Sequence, residues 1–385
     1  MKEIKDIIQS YEEAQKQGKQ MALATVVHVE GSSYRRPGAR MLITEDGYLT
    51  GAISGGCLEG DALRKALLVM SQQRSMLVTY DTMDEDDATL GIGLGCNGII
   101  QVLIEPIHVN DLNNPIQLLK KIANKREKAV LVTLFSLESK KDVQPGTCLL
   151  LRKDECIEGN IPALKNILIE DGMQVLKNGQ SLFRAYHTEN QHLTAFIELV
   201  EPAISLVVMG AGNDVIPVVA MADILGWETT VIDGRPNYAK QERFSPTCQV
   251  LVAKPENVIN QIEIDDLTVF VLMTHNYNYD LAMLPQLAKR NVRYLGMLGP
   301  KKKLERMLRE LEEQGIHLTA PQRACIHSPV GLDIGAETAE EIALSILSEI
   351  KAVLNERQGS SLHQYSGTIH PRSEFVIEQV NITKK

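Results

Sequence analysis

The stretch Ile204-Ser205-Leu206-Val207-Val208-Met209, followed by Gly210-Ala211-Gly212 and then by helical spacing from Val215 to Leu225, leaves few folds open to the carboxyl half of this chain. An apolar run closed by a glycine turn reads as a strand buried on both faces, and such strands belong to parallel sheets covered by helices. Thr229-Thr230-Val231-Ile232-Asp233 repeats the pattern and ends in an acid. Strand, glycine turn, helix, strand, acid is the order of a dinucleotide-binding unit, where the acid can reach a ribose hydroxyl. Further strands are expected at Leu267–Met273 and Val292–Met297, alternating with helices near 279–290, 301–313 and 337–355. The expected fold is α/β, an N-terminal mixed α/β domain followed by a C-terminal Rossmann-like doubly wound parallel sheet.

At 385 residues and 44% hydrophobic, the chain has material for more than one core. The pattern divides it into a first domain over 1–106, an intermediate α/β segment of unassigned role over 107–200, the Rossmann-like domain over 201–355 and a polar tail over 356–385. A formal net charge of -9 with no long basic run argues against nucleic acid and acidic membranes as partners, leaving small molecules and proteins. The start carries no uninterrupted apolar stretch of signal length and no later segment reaches the length of a membrane span, so a cytoplasmic location is expected. In that compartment the six cysteines stay reduced, and one with a role works as a thiolate.

Ile4, Ile7, Ile8, Tyr11 and Ala14 recur at helical spacing and predict a first helix over about 2–18. Met21–Val29 reads as a buried strand, and Met41–Thr44 with Tyr48–Ile53 as a hairpin across Glu45-Asp46-Gly47. From Leu58 the pattern turns helical through Ala62, Leu63, Ala66, Leu67 and Met70. Strands are expected at Met76–Tyr80 and Ile99–Glu105, and between them Asp81, Asp84, Glu85, Asp86 and Asp87 read as a solvated loop. In the middle segment a helix near 115–125 and strands at Ala129–Phe135 and Thr147–Leu151 carry no motif with chemistry, and Cys148 and Cys156 read as packing or surface residues.

Two glycine-cysteine elements carry the chemistry, Ser54-Gly55-Gly56-Cys57-Leu58-Glu59 and Gly93-Leu94-Gly95-Cys96-Asn97-Gly98. Glycine lets backbone N–H groups converge on one anion. The first element falls at a strand-to-helix turn, where the helix start favours an anion at Ser54, Gly55 and Gly56 and the thiolate form of Cys57. Arg35, Arg36 and Arg40 in the preceding loop can add charge-assisted bonds to phosphate, and Arg36 is the one we carry forward. In the second domain Gly210, Gly212 and Asp233 are the expected nucleotide contacts, although Asp214 places a negative charge near any pyrophosphate and Val215 stands where a third glycine is usual. His275, at a strand end facing the same crevice, is placed for acid, base or donor work, with Arg235 and His327 beside it as lesser candidates. Asp333 reads as a turn cap, and Lys301, Lys302 and Lys303 open a helix and point to solvent.

The loop from Gly31-Ser32-Ser33 to Pro37-Gly38-Ala39, both glycine-cysteine elements, Gly210-Ala211-Gly212 and Ser328-Pro329-Val330-Gly331-Leu332-Asp333-Ile334-Gly335-Ala336 together resemble the XdhC/CoxI family, accessory proteins for xanthine dehydrogenase and related molybdenum hydroxylases. The resemblance spans most of 1–106 and 198–350 in order, and departs at Asn213-Asp214 and at Asn97. It implies a chaperone-like role rather than turnover: binding molybdenum cofactor (molybdopterin), protecting it while a cysteine desulfurase replaces an oxo ligand by sulfide, and delivering it to apo xanthine dehydrogenase or a related hydroxylase. Cys57 and Cys96 would then face the thiophilic metal or carry sulfur, with Gly95 beside Cys96. Self-association into a homo-oligomer is also expected. The competing reading is an NAD(P)-dependent oxidoreductase in which a cysteine or His275 does acid-base work, with NAD(P) or another nucleotide in the Rossmann-like domain.

Overall fold

The computed structural model describes residues 1–31, 33–81, 98–140, 142–158, 164–187, 192–290, 292–364 and 378–381. It divides the chain into two units, Met1–Pro202 with Arg372–Lys385, and Ala203–Pro371. Residues 1–106 and 107–200, separate in the sequence reading, pack here into one unit.

In the first unit, helix α1 (Lys2–Lys16) leads into β1 (Met21–Gly31), β2 (Arg40–Thr44) and β3 (Leu49–Gly51), then helix α2 (Glu59–Gln72), β4 (Met76–Asp81) and β5 (Gly98–Pro106). The five strands form an antiparallel sheet in the order β3-β2-β1-β5-β4. Alternation along β1 sets the layers. Ala22, Ala24 and Val26 pack with Ala62, Ala66 and Val69 of α2 on one face. Val27, with Leu103 of β5, meets Phe135, Phe183 and Phe196 on the other.

Those phenylalanines belong to a second sheet. Helix α3 (Pro115–Ala123) is started by Asn114, whose side-chain oxygen accepts from the N–H groups of Ile116 and Gln117 at 3.0 Å each. After it come β6 (Ala129–Phe135), β7 (Gly146–Leu151), β8 (Cys156–Glu158), α4 (Lys165–Asn178), β9 (Leu182–His187) and β10 (His192–Val200). A short strand, Glu378–Asn381, joins beside β9, so the tail contributes to the order Glu378–Asn381, β9-β10-β6-β7-β8. Helix α4 packs on the face away from the first sheet through Leu168 and Val175. The two sheets are also tied by a buried ion pair. Arg40 of β2 reaches Glu198 of β10, with Nη1 at 3.2 Å from Oε1 and Nη2 on Oε2.

The second unit alternates β11 (Ser205–Met209), α5 (Val215–Ile224), β12 (Glu228–Asp233), β13 (Gln249–Val252), α6 (Pro255–Val258), β14 (Thr268–Leu272), α7 (Tyr277–Ala288), β15 (Leu295–Met297), α8 (Lys301–Glu313), α9 (Ala320–Ala324), β16 (Ile326–His327) and α10 (Ala339–Leu354). The sheet is parallel in the order β13-β12-β11-β14-β15-β16. Helices α5 and α10 cover one face and α7 and α8 the other. The order reverses between β11 and β14, and ligands of such sheets bind outside the strand ends at that point. Gly210 ends β11 there with φ +114°, and a Cβ on it would stand 2.3 Å from the Met273 carbonyl oxygen. The strand predicted over Val292–Met297 is confined to Leu295–Met297.

Candidate functional site

The loop between β3 and α2 is built around two side chains of its own. The buried Ser54 Oγ stands 3.1 Å from each of the N–H groups of Gly56, Cys57 and Leu58, which donate to it, and its hydroxyl donates to the Glu59 carboxylate. Glu59 Oε1 accepts from the N–H groups of Ile53 at 3.2 Å and Ser54 at 2.8 Å, and Oε2 from Leu58 at 3.1 Å. This pull on Ile53 and Ser54 ends the hairpin early, so β3 stops at Gly51 rather than at the predicted Ile53. The negative charge that the helix start attracts is supplied by the chain itself, with the N–H groups of Ile53, Ser54, Gly56, Cys57 and Leu58 donating to Glu59 or to the Ser54 hydroxyl. Glu59 was in the motif without an assigned role; its place in the first turn of a helix, beside a glycine-rich turn, was the available signal.

What the frame presents outward is Cys57. Its side chain is exposed, with Sγ 3.4 Å from Ser54 Oγ. Gly56 has φ +115° and open space where a Cβ would be, while a Cβ on Gly55 would lie 3.6 Å from Cγ of Tyr34. Tyr34, 71% exposed, therefore stands over the turn, and the loop before β2 and the cysteine loop form one surface. The three arginines of that loop separate in role: Arg35 pairs with Glu3, Arg40 with Glu198, and Arg36 is exposed. Cys96 and Gly95 lie outside the described residues, as do Asp84, Glu85, Asp86 and Asp87 of the acidic stretch. Cys148 is buried, and burial followed by the charge of Glu105 pushes its thiol up to about 12. Burial also raises the thiols of Cys248 and Cys325.

Glu59→Ala would leave the buried N–H of Ile53 and its neighbours without an acceptor, which costs about 1–3 kcal/mol for a buried group. Amide hydrogen exchange at Ile53 and Ser54 is expected to accelerate in this variant while exchange in β1 and β5 stays slow. Unchanged protection at those two amides would show that the latch is not what holds the loop.

In the second unit Asp233 is engaged by the chain's own donors. Its Oδ1 accepts from the Arg235 N–H at 2.8 Å and Nε at 2.9 Å, and its Oδ2 from the Ala211 N–H at 2.9 Å and Arg235 Nη2 at 2.7 Å. A carboxylate has about four acceptor sites, and all are taken. Burial alone would raise this carboxyl, but the bonds from Arg235 and Ala211 prevail and hold it below the usual range. The acid thus fastens the glycine turn to the end of β12. Asp214 covers Gly212, whose Cβ would fall 2.3 Å from Oδ1, and its Oδ2 lies 2.8 Å from His275 Nε2.

His275 follows the end of β14 with φ +54°, and its exposed ring faces the Asp214 carboxylate. His327 stacks on Tyr294 at 4.5 Å, and Glu349 accepts from the Tyr294 hydroxyl at 2.5 Å and from the Gly331 N–H at 2.9 Å. Asp333 is exposed. Lys301 and Lys302 are exposed as expected, but Lys303 turns inward, donating from Nζ to Asp280 Oδ2 at 2.6 Å and to the Leu298 carbonyl at 3.0 Å. Asp280 is fully buried and also accepts from Thr274 Oγ1 at 2.6 Å, so an unpaired charge drew the lysine away from water.

Residues 206–350 match the XdhC Rossmann domain and residues 14–81 the XdhC and CoxI family. A protein of Bacillus subtilis (strain 168) described as a probable xanthine dehydrogenase subunit is 33% identical over 328 residues, covering 85% of this chain and 91% of that protein. The molybdenum cofactor insertion chaperone PaoD of Escherichia coli (strain K12) is 24% identical over 354 residues, covering 91% of this chain and 89% of its own. A crystal structure described as a xanthine dehydrogenase from Bacillus halodurans superimposes with a TM-score of 0.73 at 30% identity, over 94% of this chain and 99% of that one.

Proposed function

This chain belongs to the XdhC and CoxI family, and from that premise we propose that it is an accessory factor that binds molybdenum cofactor and inserts it into xanthine dehydrogenase or a related molybdenum hydroxylase. The observation that carries the reading is the exposed Cys57 thiol on a turn held by Ser54 and Glu59 and flanked by the exposed ring of Tyr34. A thiolate suits a thiophilic metal, an aromatic face suits a flat pterin, and Arg36 is the cation at hand for its phosphate. The residues present therefore fit such a cargo. In this reading Cys57 faces the metal, Tyr34 takes the ring system, and Ser54 and Glu59 keep the thiol in position. The name of the Escherichia coli relative, an insertion chaperone, supports the same role.

The finer proposal is that the cofactor is held while a cysteine desulfurase exchanges an oxo ligand for sulfide, and is then passed to the apo-hydroxylase. Cys96 joins Cys57 on the same cargo in this proposal, and His275 with Asp214 serves the second unit. The test is to purify the full chain from cells that make molybdopterin and measure bound molybdenum and pterin, then to supply it to an apo-hydroxylase. Co-purifying cofactor and restored hydroxylase activity are expected. Turnover of a small substrate with NAD(P), in the absence of any molybdenum enzyme and of bound pterin, would replace this reading with the oxidoreductase one.

A further inference from the structure

Three neighbouring strands of the second sheet, β9, β10 and β6, bring a second set of ligand-type side chains to one end. His187 is the last residue of β9, His192 the first of β10, and the two are direct cross-strand partners. Their rings lie 4.5 Å apart between centroids at 65°. Glu138, just beyond β6, brings Oε2 to 2.7 Å from His192 Nδ1. One ligand atom from each of the three residues lies within 4.8 Å of the others.

Two further observations mark this as more than a surface ion pair. His187 Nε2 is buried and has no hydrogen-bond partner among the described residues, an unfavourable state for a polar atom unless something fills it. The segment carrying Glu138 is also held in place. Ser136 Oγ donates to the His192 carbonyl at 3.0 Å and accepts from the Ser139 N–H at 3.0 Å, while Gln144 accepts from the Ser136 N–H at 2.7 Å and donates to the carbonyls of Ser139 and Asp142. The carboxylate is thereby tied to the strand that carries one of the histidines. A cavity of about 170 Å³ opens beside the three groups, with Leu137, Ala185 and Leu193 on its wall.

We infer that Glu138, His187 and His192 form a binding site for a divalent first-row transition metal of the zinc class, with coordination left open to water. Two imidazoles and a carboxylate are a ligand set for such ions. In a tetrahedral site with bonds of about 2.0–2.2 Å, ligand atoms stand about 3.3–3.6 Å apart, so modest side-chain rotations close the present arrangement on a metal. Binding replaces the Glu138–His192 contact by two metal bonds and gives the buried His187 nitrogen its partner. It also joins three strand ends that the sheet's hydrogen bonds hold only along their lengths. The inference stands independently of the proposed carrier function, since none of these side chains belongs to the Cys57 surface.

Cobalt(II) is the probe, because its visible spectrum reports coordination and a thiolate ligand would add a charge-transfer band. The full chain, stripped with a chelator, is titrated with cobalt(II) alongside His192→Gln, Glu138→Gln, His187→Gln and Cys57→Ser. Wild type and Cys57→Ser are expected to take up one equivalent with a spectrum lacking the thiolate band, and the other variants to bind at least ~10–100-fold more weakly. His192 and Glu138 are largely exposed, so their variants keep the test valid if His187→Gln does not fold. Absence of cobalt uptake by wild type, equal uptake by His192→Gln and Glu138→Gln, or loss of uptake in Cys57→Ser would each overturn the inference.

Discussion

Cys57→Ala is expected to lose activation of an apo-hydroxylase almost completely while the protein folds as before. The two halves of that expectation have separate causes. The Cys57 side chain is exposed, and its backbone N–H at 3.1 Å ties the loop to Ser54 Oγ beside the weaker thiol contact at 3.4 Å, so truncation falls among surface changes worth within about ±0.5 kcal/mol. Removing a group that touches a metal should cost more than the ~10–100-fold that loss of a supporting partner costs such sites. Bound molybdenum, pterin content and hydroxylase activation, measured beside thermal unfolding, check both halves. A variant that activates the hydroxylase like wild type would move the cargo site away from Cys57. Serine at the same position offers a hard oxygen to a soft metal and is expected to behave like alanine.

The second large effect is on stability. Lys303→Met removes the charged partner of Asp280, whose side chain is 0% exposed against 19% for the lysine. Breaking a buried pair from one side costs about 3–5 kcal/mol, because the remaining charge has neither water nor a counter-ion. Thr274 Oγ1 and its bond to Asp280 soften that cost without replacing the lysine. Chemical denaturation should show the loss in the transition of the second unit, whose strand ends β14 and β15 the network fastens to α7 and α8. Asp280→Asn combined with Lys303→Met is expected to recover part of the loss, since no charge is then left buried. If the single and double variants unfold alike at wild-type denaturant, the pair is a surface contact and nothing more.

The α/β plan of the second unit was readable because each strand and helix carries its period locally, whereas the order of its strands came only from the structure. The Ala129–Phe135 run matches β6 residue for residue. Residues whose roles depend on a distant partner were not readable in this way. Nothing near Arg40 in sequence announces Glu198, and nothing near Lys303 announces Asp280. The motif containing Asp233 predicts where the acid sits, but only the fold shows that Arg235 and the Ala211 N–H consume it. Cys57 falls at the expected turn before a helix, and the carboxylate engaging that turn is Glu59, two residues along the same motif, which the motif alone did not announce.

The Glu59 latch makes the cysteine turn a seat with a tethered occupant. An incoming anion that approaches these N–H groups competes with a carboxylate whose local concentration is fixed by covalent attachment rather than by supply. Under the proposed function, a turn of this design resists being clogged by inorganic phosphate and leaves the thiol to hold the cargo.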